Sequence, residues 1–238
     1  MNILLITGWG LGTAVLEKFA EELRKEHSVI LSDIFDPYDP AILAEKVQAT
    51  ADIDVLIGWS LGGQLALVLA NEIYQQTQVA KPVIACMSNP CFVANKNWPQ
   101  AMPEADFENF QQAARMDMLA TLKRFSHLVC MGAKDARQRV KYLQSQLPLI
   151  DLTYQEQHLY LLKQLNLVDN LKTCSTKMLF LFSVHDSLVP YEVALELVFS
   201  QQNSIQVEKI DAAHDAILFD TELLLAPIRN YLDTLFVA

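Results

Sequence analysis

Six of the chain's seven glycines fall in two short loops, Gly8-Trp9-Gly10-Leu11-Gly12 and Gly58-Trp59-Ser60-Leu61-Gly62-Gly63, and only Gly132 lies elsewhere. Glycine is needed where backbone bends through conformations closed to other residues or passes close to other atoms. A chain that confines it to two loops has its tightest backbone there. Each loop follows a short apolar run, residues 2–7 and 53–58, of the kind that forms a buried strand. The second loop leads into residues 61–76, a long apolar stretch at helical spacing. A strand turning sharply into a helix is the context required of the motif G-x-S-x-G, which Gly58, Ser60 and Gly62 supply. With 11 serines and 7 glycines in 238 positions, chance yields roughly 0.01 such matches.

The surrounding pattern fixes a fold class. Residues 14–26 carry Val15, Phe19, Ala20 and Leu23 at helical spacing. Residues 28–33 read as a second strand and residues 82–87 as a fourth. Asp39 ahead of Pro40 is a helix opening for residues 40–50. Strands and helices alternating at this pace make a parallel sheet with right-handed crossovers. Residues 88–176 then show only helical periodicity and loops, before the strand signal resumes at residues 178–184 and 205–210. Residues 216–236 close the chain as a helix, with Pro227 as its start or a kink. The expectation is an α/β fold. Its mostly parallel sheet is flanked by helices, with a core of residues 1–87 and 178–238 and an inserted helical lid over residues 88–177.

Composition excludes several classes. With 52% apolar and 19% charged residues the chain is globular, neither disordered nor membrane-spanning. The N-terminus has no basic region and runs straight into Trp9 and three glycines, which is a strand and loop rather than a signal peptide. Cys86, Cys91, Cys130 and Cys174 form no C-x-x-C pair, which speaks against both a disulfide framework and a zinc site. A cytoplasmic location is expected. The net charge of −10 repels nucleic acid and anionic membrane surfaces, so neither is expected as a partner. An anionic partner needs a local basic patch.

A strand–helix turn of this kind is a nucleophile elbow: its strained backbone presents Ser60 over the end of the sheet, at the N-terminus of a helix whose dipole favours developing negative charge. A serine nucleophile needs a base, and the base needs an orienting carboxylate, in the chain order Ser, Asp or Glu, His. Of the five histidines, His27 precedes Ser60, and His127 and His158 lie in the helical insertion. His214, in a short loop after the last strand, is the best base, and Asp186, just after the penultimate strand, the best carboxylate. Asp211 and Asp215 flank His214 and stand as alternatives, and His185 reads as structural. The oxyanion donors would be the backbone N–H groups of Trp9, in the first glycine loop, and Leu61, after the nucleophile. A dinucleotide fingerprint competes for the first loop, but it fails at Thr13, and only Asp33 is arguable as its acidic partner.

With these residues placed, the chain resembles the α/β-hydrolases, and more narrowly the pimeloyl-[acyl-carrier protein] methyl ester esterases of biotin synthesis. The narrower likeness rests on Gly8-Trp9-Gly10-Leu11, the elbow, Asn89-Pro90-Cys91-Phe92 with Trp98-Pro99, Arg124-Phe125, Met131-Gly132, Ala136-Arg137-Gln138 and Asp186-Ser187-Leu188-Val189-Pro190. There are departures. Thr7 stands where the family has His, and Asp33-Ile34-Phe35-Asp36-Pro37 replaces a Pro-Gly-x-Gly-x-Ser loop. The sequence also opens directly on its first parallel strand, without the usual antiparallel hairpin.

The resemblance implies a serine carboxylesterase of the carrier-bound methyl ester, a monomer needing no cofactor or metal. It implies an acyl channel lined by Phe110 and Phe125, and a lid that docks the acidic acyl-carrier protein through Arg124, Arg137 and Lys141. Lys123, Arg124, Lys134, Arg137, Arg139 and Lys141 hold six of the 18 basic residues, and the spacing of Lys134, Arg137 and Lys141 puts them on one helix face. A basic face on an acidic protein suits such a carrier or a phosphopantetheine phosphate. A broad-specificity short-chain carboxylesterase or acyl thioesterase is the rival within the class. A non-catalytic binding protein on the same fold is the rival outside it.

Overall fold

The computed structural model describes residues 1–147, 151–173, 176–199 and 203–235; Cys174 and Phe236 lie outside the described residues. Six strands, β1 (Asn2–Ile6), β2 (Ser28–Ser32), β3 (Val55–Trp59), β4 (Val83–Cys86), β5 (Met178–Ser183) and β6 (Ile205–Ile210), form one sheet in the order β2-β1-β3-β4-β5-β6. Every pairing is parallel. The central strands β3, β4 and β5 are buried along their whole length, as strands covered on both faces must be. Edge strand β6 is only partly buried and carries Glu208 and Lys209, charges that discourage pairing with another chain.

The chain leaves β1 in one direction to β2 and returns past β1 to β3. Right-handed crossovers run in opposite directions put helices on opposite faces. Thus α1 (Glu17–Arg24) packs on β2, while α2 (Pro40–Ala49) packs on α3 (Leu61–Thr77), which covers β1, β3 and β4. Asp39 caps α2 as its sequence suggests, accepting from the Ala41 N–H at 2.8 Å and the Ile42 N–H at 3.2 Å, with Pro40 in the first turn. The reversal leaves the C-terminal ends of β1 and β3 side by side at a switch point, where open α/β sheets bind their ligands. Both glycine loops emerge there.

Between β4 and β5, among the described residues, stand the helices α4 (Glu104–Met116), α5 (Met118–Val129), α6 (Ala136–Gln146), α7 (Gln155–Gln164) and α8 (Val168–Thr173), referred to below as the cap. The β5–β6 crossover carries α9 (Val193–Phe199). After β6 the expected single helix is two, α10 (Ala216–Phe219) and α11 (Thr221–Leu235). The break falls at Asp220, whose carboxylate is drawn to Arg139, and Pro227 sits inside α11 instead of starting it.

The elbow is the tightest point of the fold. A β-carbon on Gly58 would collide with the backbone of Gly62 and Gly63, and one on Gly62 with the carbonyls of Ile6 and Thr7. A β-carbon on Gly12, at φ +67°, would meet nothing within 4 Å. Gly58→Ala is therefore expected to lower stability by about 3 kcal/mol or more. Gly12→Ala is expected to cost only about 1–2 kcal/mol, the left-handed backbone penalty. Urea-unfolding midpoints of the two variants check this order; equal shifts would mean that close packing at the elbow is not the constraint.

Candidate active site

Ser60 stands between β3 and α3 at φ 54°, ψ −121°, a conformation non-glycine residues avoid and that persists only where neighbours over-determine it. Those neighbours are identifiable. The Ser60 N–H donates to the Cys86 carbonyl at 3.0 Å, and the Gly63 N–H donates to the Ser60 carbonyl at 3.0 Å. A β-carbon on Gly8 would lie 3.1 Å from the Ser60 Cβ, so the missing side chain of Gly8 lets the first loop come against the serine. The first turn of α3 holds no acidic residue, which leaves the positive end of the helix dipole facing the site.

The structure brings His214 and Asp186 together and leaves the rival carboxylates elsewhere. The His214 Nδ1 lies 2.7 Å from Asp186 Oδ2, and neither side chain is exposed to solvent. Asp186 Oδ1 accepts the N–H groups of Leu188 at 2.8 Å and Val189 at 2.9 Å, so the turn after β5 fixes the carboxylate. Asp211 instead pairs with His185 at 3.0 Å on the open surface, and Asp215 pairs with Arg139. The other ring nitrogen of His214, Nε2, is buried and has no hydrogen-bond partner. Ser60 Oγ makes no hydrogen bond among the described residues, so the two are not joined in this state. Hydrogen bonds at such sites are often long before substrate binds. Ser60 keeps 7% of its surface exposed, against none for His214.

The first glycine loop is held from several sides. Thr7 Oγ1 donates to the Gly12 carbonyl at 2.5 Å, closing the loop with the residue that replaces the family's histidine. Trp9 is buried, and its indole Nε1 donates to the Gln155 carbonyl of α7 at 2.8 Å. Phe125 and Phe110 meet the Trp9 ring edge-on at 4.8 and 5.6 Å, so both residues assigned to an acyl channel by resemblance pack on this loop. No acceptor among the described residues takes the backbone N–H of Trp9 or of Leu61.

Sequence reasoning missed Trp59, whose Nε1 donates to the His214 carbonyl at 3.0 Å and whose ring lies 5.6 Å from the imidazole. A buried indole must place its N–H, and that was the available signal.

Of the basic residues, Arg124, Lys134, Arg137 and Lys141 are exposed and in no ion pair among the described residues. Lys134 precedes α6, however, so only Arg137 and Lys141 share a helix face. Arg139, counted with them from sequence, turns inward. Arg124 lines a cleft of about 310 Å³ with Ser187, Leu188 and Pro190 of the Asp186 turn. A cavity of about 690 Å³ lies on the other side of the first glycine loop, between Asp33, Phe35, Tyr154 and His158, and neither Ser60 nor His214 lines it. Position decides here over size, because the chemistry requires the nucleophile.

Burial pushes the Cys86, Cys91 and Cys130 thiols up, so none is a competing thiolate nucleophile. Among the described residues no His, Cys, Asp and Glu cluster could hold a metal ion, and no helix is long and apolar enough to cross a membrane.

No family model matches the chain. The pimeloyl-[acyl-carrier protein] methyl ester esterase of Salmonella newport is 30% identical over 227 residues, covering 90% of this chain and 86% of that protein. The chain belongs to this family of α/β-hydrolases. Like its relatives it is a carboxylic ester hydrolase. The family's fold is seen again in an esterase from Exiguobacterium antarcticum, with a TM-score of 0.81 at 16% identity over 98% of this chain and 92% of that one. It is seen also in an enol-lactonase from Burkholderia xenovorans, with a TM-score of 0.79 at 13% identity over 98% and 91%. At these identities the likeness concerns the fold alone.

Two carboxylate variants test the assignment of Asp186. Asp186→Asn presents an amide N–H to the Nδ1 of His214 and favours the wrong tautomer; kcat on a p-nitrophenyl ester is expected to fall on the order of 10³–10⁴-fold. Asp211→Asn is expected to keep kcat within about twofold, since it acts on an exposed pair. The reverse order would transfer the role to Asp211.

Proposed function

We propose that this esterase hydrolyses the methyl ester of a pimeloyl chain carried on an acyl-carrier protein, using Ser60, His214 and Asp186. Ser60 Oγ attacks the ester carbonyl while His214 Nε2 takes its proton. Asp186 keeps the imidazole in the required tautomer and stabilises its charged form. The N–H groups of Trp9 and Leu61 receive the oxyanion. His214 then returns the proton to the departing methanol. Water, deprotonated by the same nitrogen, releases the free acid and restores the serine.

The observation that carries this reading is the buried His214, tied through Nδ1 to Asp186, with Nε2 unpartnered, and packed on Trp59, the residue before a serine at positive φ. The substrate rests on the activity for which the Salmonella relative is named and on the exposed cations Arg124, Arg137 and Lys141 of the cap. Two net-negative proteins repel, so an acidic carrier needs such a patch to land on. Phe110 and Phe125, packed edge-on against Trp9, would guide the acyl chain toward the serine.

Ser60→Ala is expected to lower p-nitrophenyl ester hydrolysis by a factor on the order of 10³ or more. It should also abolish labelling by a fluorophosphonate probe, with an unchanged circular dichroism spectrum. Activity within tenfold of wild type would remove Ser60 from the mechanism. Reversing charge at Arg137 and Lys141 together is expected to slow turnover of the carrier-bound ester roughly tenfold, as lost steering does, and to leave small free esters untouched. Added salt should reproduce the effect, since exposed charges are screened beyond about 10 Å at 0.1 M. No loss on the carrier-bound ester would favour a broad-specificity carboxylesterase.

A further inference from the structure

Arg139 of α6 is a cation buried at the boundary between cap and core, with 10% of its side chain exposed. Its guanidinium forks onto Asp220, with Nη1 at 2.5 Å from Oδ2 and Nη2 at 2.8 Å from Oδ1. The same Nη1 reaches Asp215 Oδ1 at 3.1 Å, and Nε reaches Asp135 at 2.5 Å. The guanidinium carbon sits 5.1 Å over the Phe219 ring, against which Tyr142 packs edge-on. A planar five-donor group is the one cation that can hold three carboxylates and lie on a ring at once.

Asp215 is the residue after His214, and its side chain is fully buried. Between His214 and α11 the only regular structure is the single turn α10, so side-chain ties must set the course of this loop. From the core, Trp59 holds the His214 carbonyl. From the cap, Arg139 holds Asp215 and Asp220 on either side of α10. Burial pushes the Asp215 carboxyl up and Arg139 acts against it, while Cys130 lies alongside. Without the guanidinium, Asp215 must either take a proton or move toward water, and either shifts the peptide that carries the imidazole.

We infer that Arg139 is a positioning residue for the reaction, holding the His214 loop through Asp215 and Asp220 so that the imidazole keeps Asp186 on one side and the Ser60 side free. The inference rests on the reading in which Ser60, His214 and Asp186 carry the chemistry. It makes cap docking and alignment of the base a single event.

The test uses the full chain and a p-nitrophenyl ester. Arg139→Ala is expected to lower kcat about 10- to 100-fold, the scale of a misplacement near 1 Å, with KM changed less than about threefold because no substrate contact is lost. Millimolar guanidinium should restore part of that kcat and leave wild type unaffected. Arg139→Lys, which keeps the charge without the fork, should fall between the two. The downfield proton resonance of His214 Nδ1–H should weaken or shift in Arg139→Ala. If Arg139→Ala does not fold, Asp220→Asn removes the bidentate partner at a quarter-exposed site and should give a smaller loss of kcat with the same change in the resonance. The positioning role is overturned if kcat and the resonance stay at wild-type values in the folded variants. A fall in kcat without spectral change or rescue overturns it equally, because only bulk stability would then be at stake. Ser60→Ala measured alongside separates the two levels. An active Ser60→Ala removes the triad reading and this inference with it. An inactive one, with the Arg139 and Asp220 variants unaffected, removes the positioning role alone.

Discussion

The close approach of the β3–α3 turn to β1 is the constraint on which the rest depends. Gly62 passes against the carbonyls of Ile6 and Thr7, and Gly58 passes against Gly62 and Gly63. No side chain fits in either place. Because the backbone is held this tightly, Ser60 can be kept at a positive φ, a cost of about 1–3 kcal/mol that surrounding contacts must offset. The same approach sets the start of α3 directly behind the serine and brings Gly8 against it. The serine, the helix dipole and the glycine loop are thus products of one packing contact at the switch point of the sheet.

The other parts of the site are held by the cap as much as by the sheet. Helix α7 binds the Trp9 indole through the Gln155 carbonyl. The end of α5 takes the Ser187 hydroxyl on the Leu128 carbonyl at 2.7 Å, and Gly132 lies against His185, so the Asp186 turn is braced there. Helix α6 reaches the loop after His214 through Arg139. The glycine loop, the acid turn and the base loop each receive a different cap helix. A cap so joined supports the geometry of the site in addition to covering it, and a substitution in the cap–core seam can act on turnover without touching substrate.

Much of this was legible in the chain. The parallel sheet follows from apolar runs that alternate with helical spacing, because buried strands and amphipathic helices leave different periods. The elbow follows from glycine placement, because few other turns demand glycine on both sides of a serine. The pairing of His214 with Asp186 follows from chain order and strand ends. Asp211 and Asp215 stood only as alternatives, since they too lie within a few residues of a strand end. The side-chain directions decided it. Asp186 points inward and is held by the Leu188 and Val189 amides, Asp211 points to water, and Asp215 points to the cap.

By itself, then, the sequence determined the class of fold, the glycine-bound turn that carries Ser60 and the helical stretch between the fourth and fifth strands. These rest on local rules, hydrophobic period and backbone sterics, that act over a few residues. Only the tertiary structure decided which basic residues are free and which are consumed within the fold. Arg137, Arg139 and Lys141 are close neighbours on one short helix, yet Arg137 and Lys141 face solvent while Arg139 is buried among Asp135, Asp215 and Asp220. Two of those partners lie 76 and 81 positions away along the chain. No local pattern encodes a contact of that separation, because it exists only once the cap has closed on the sheet.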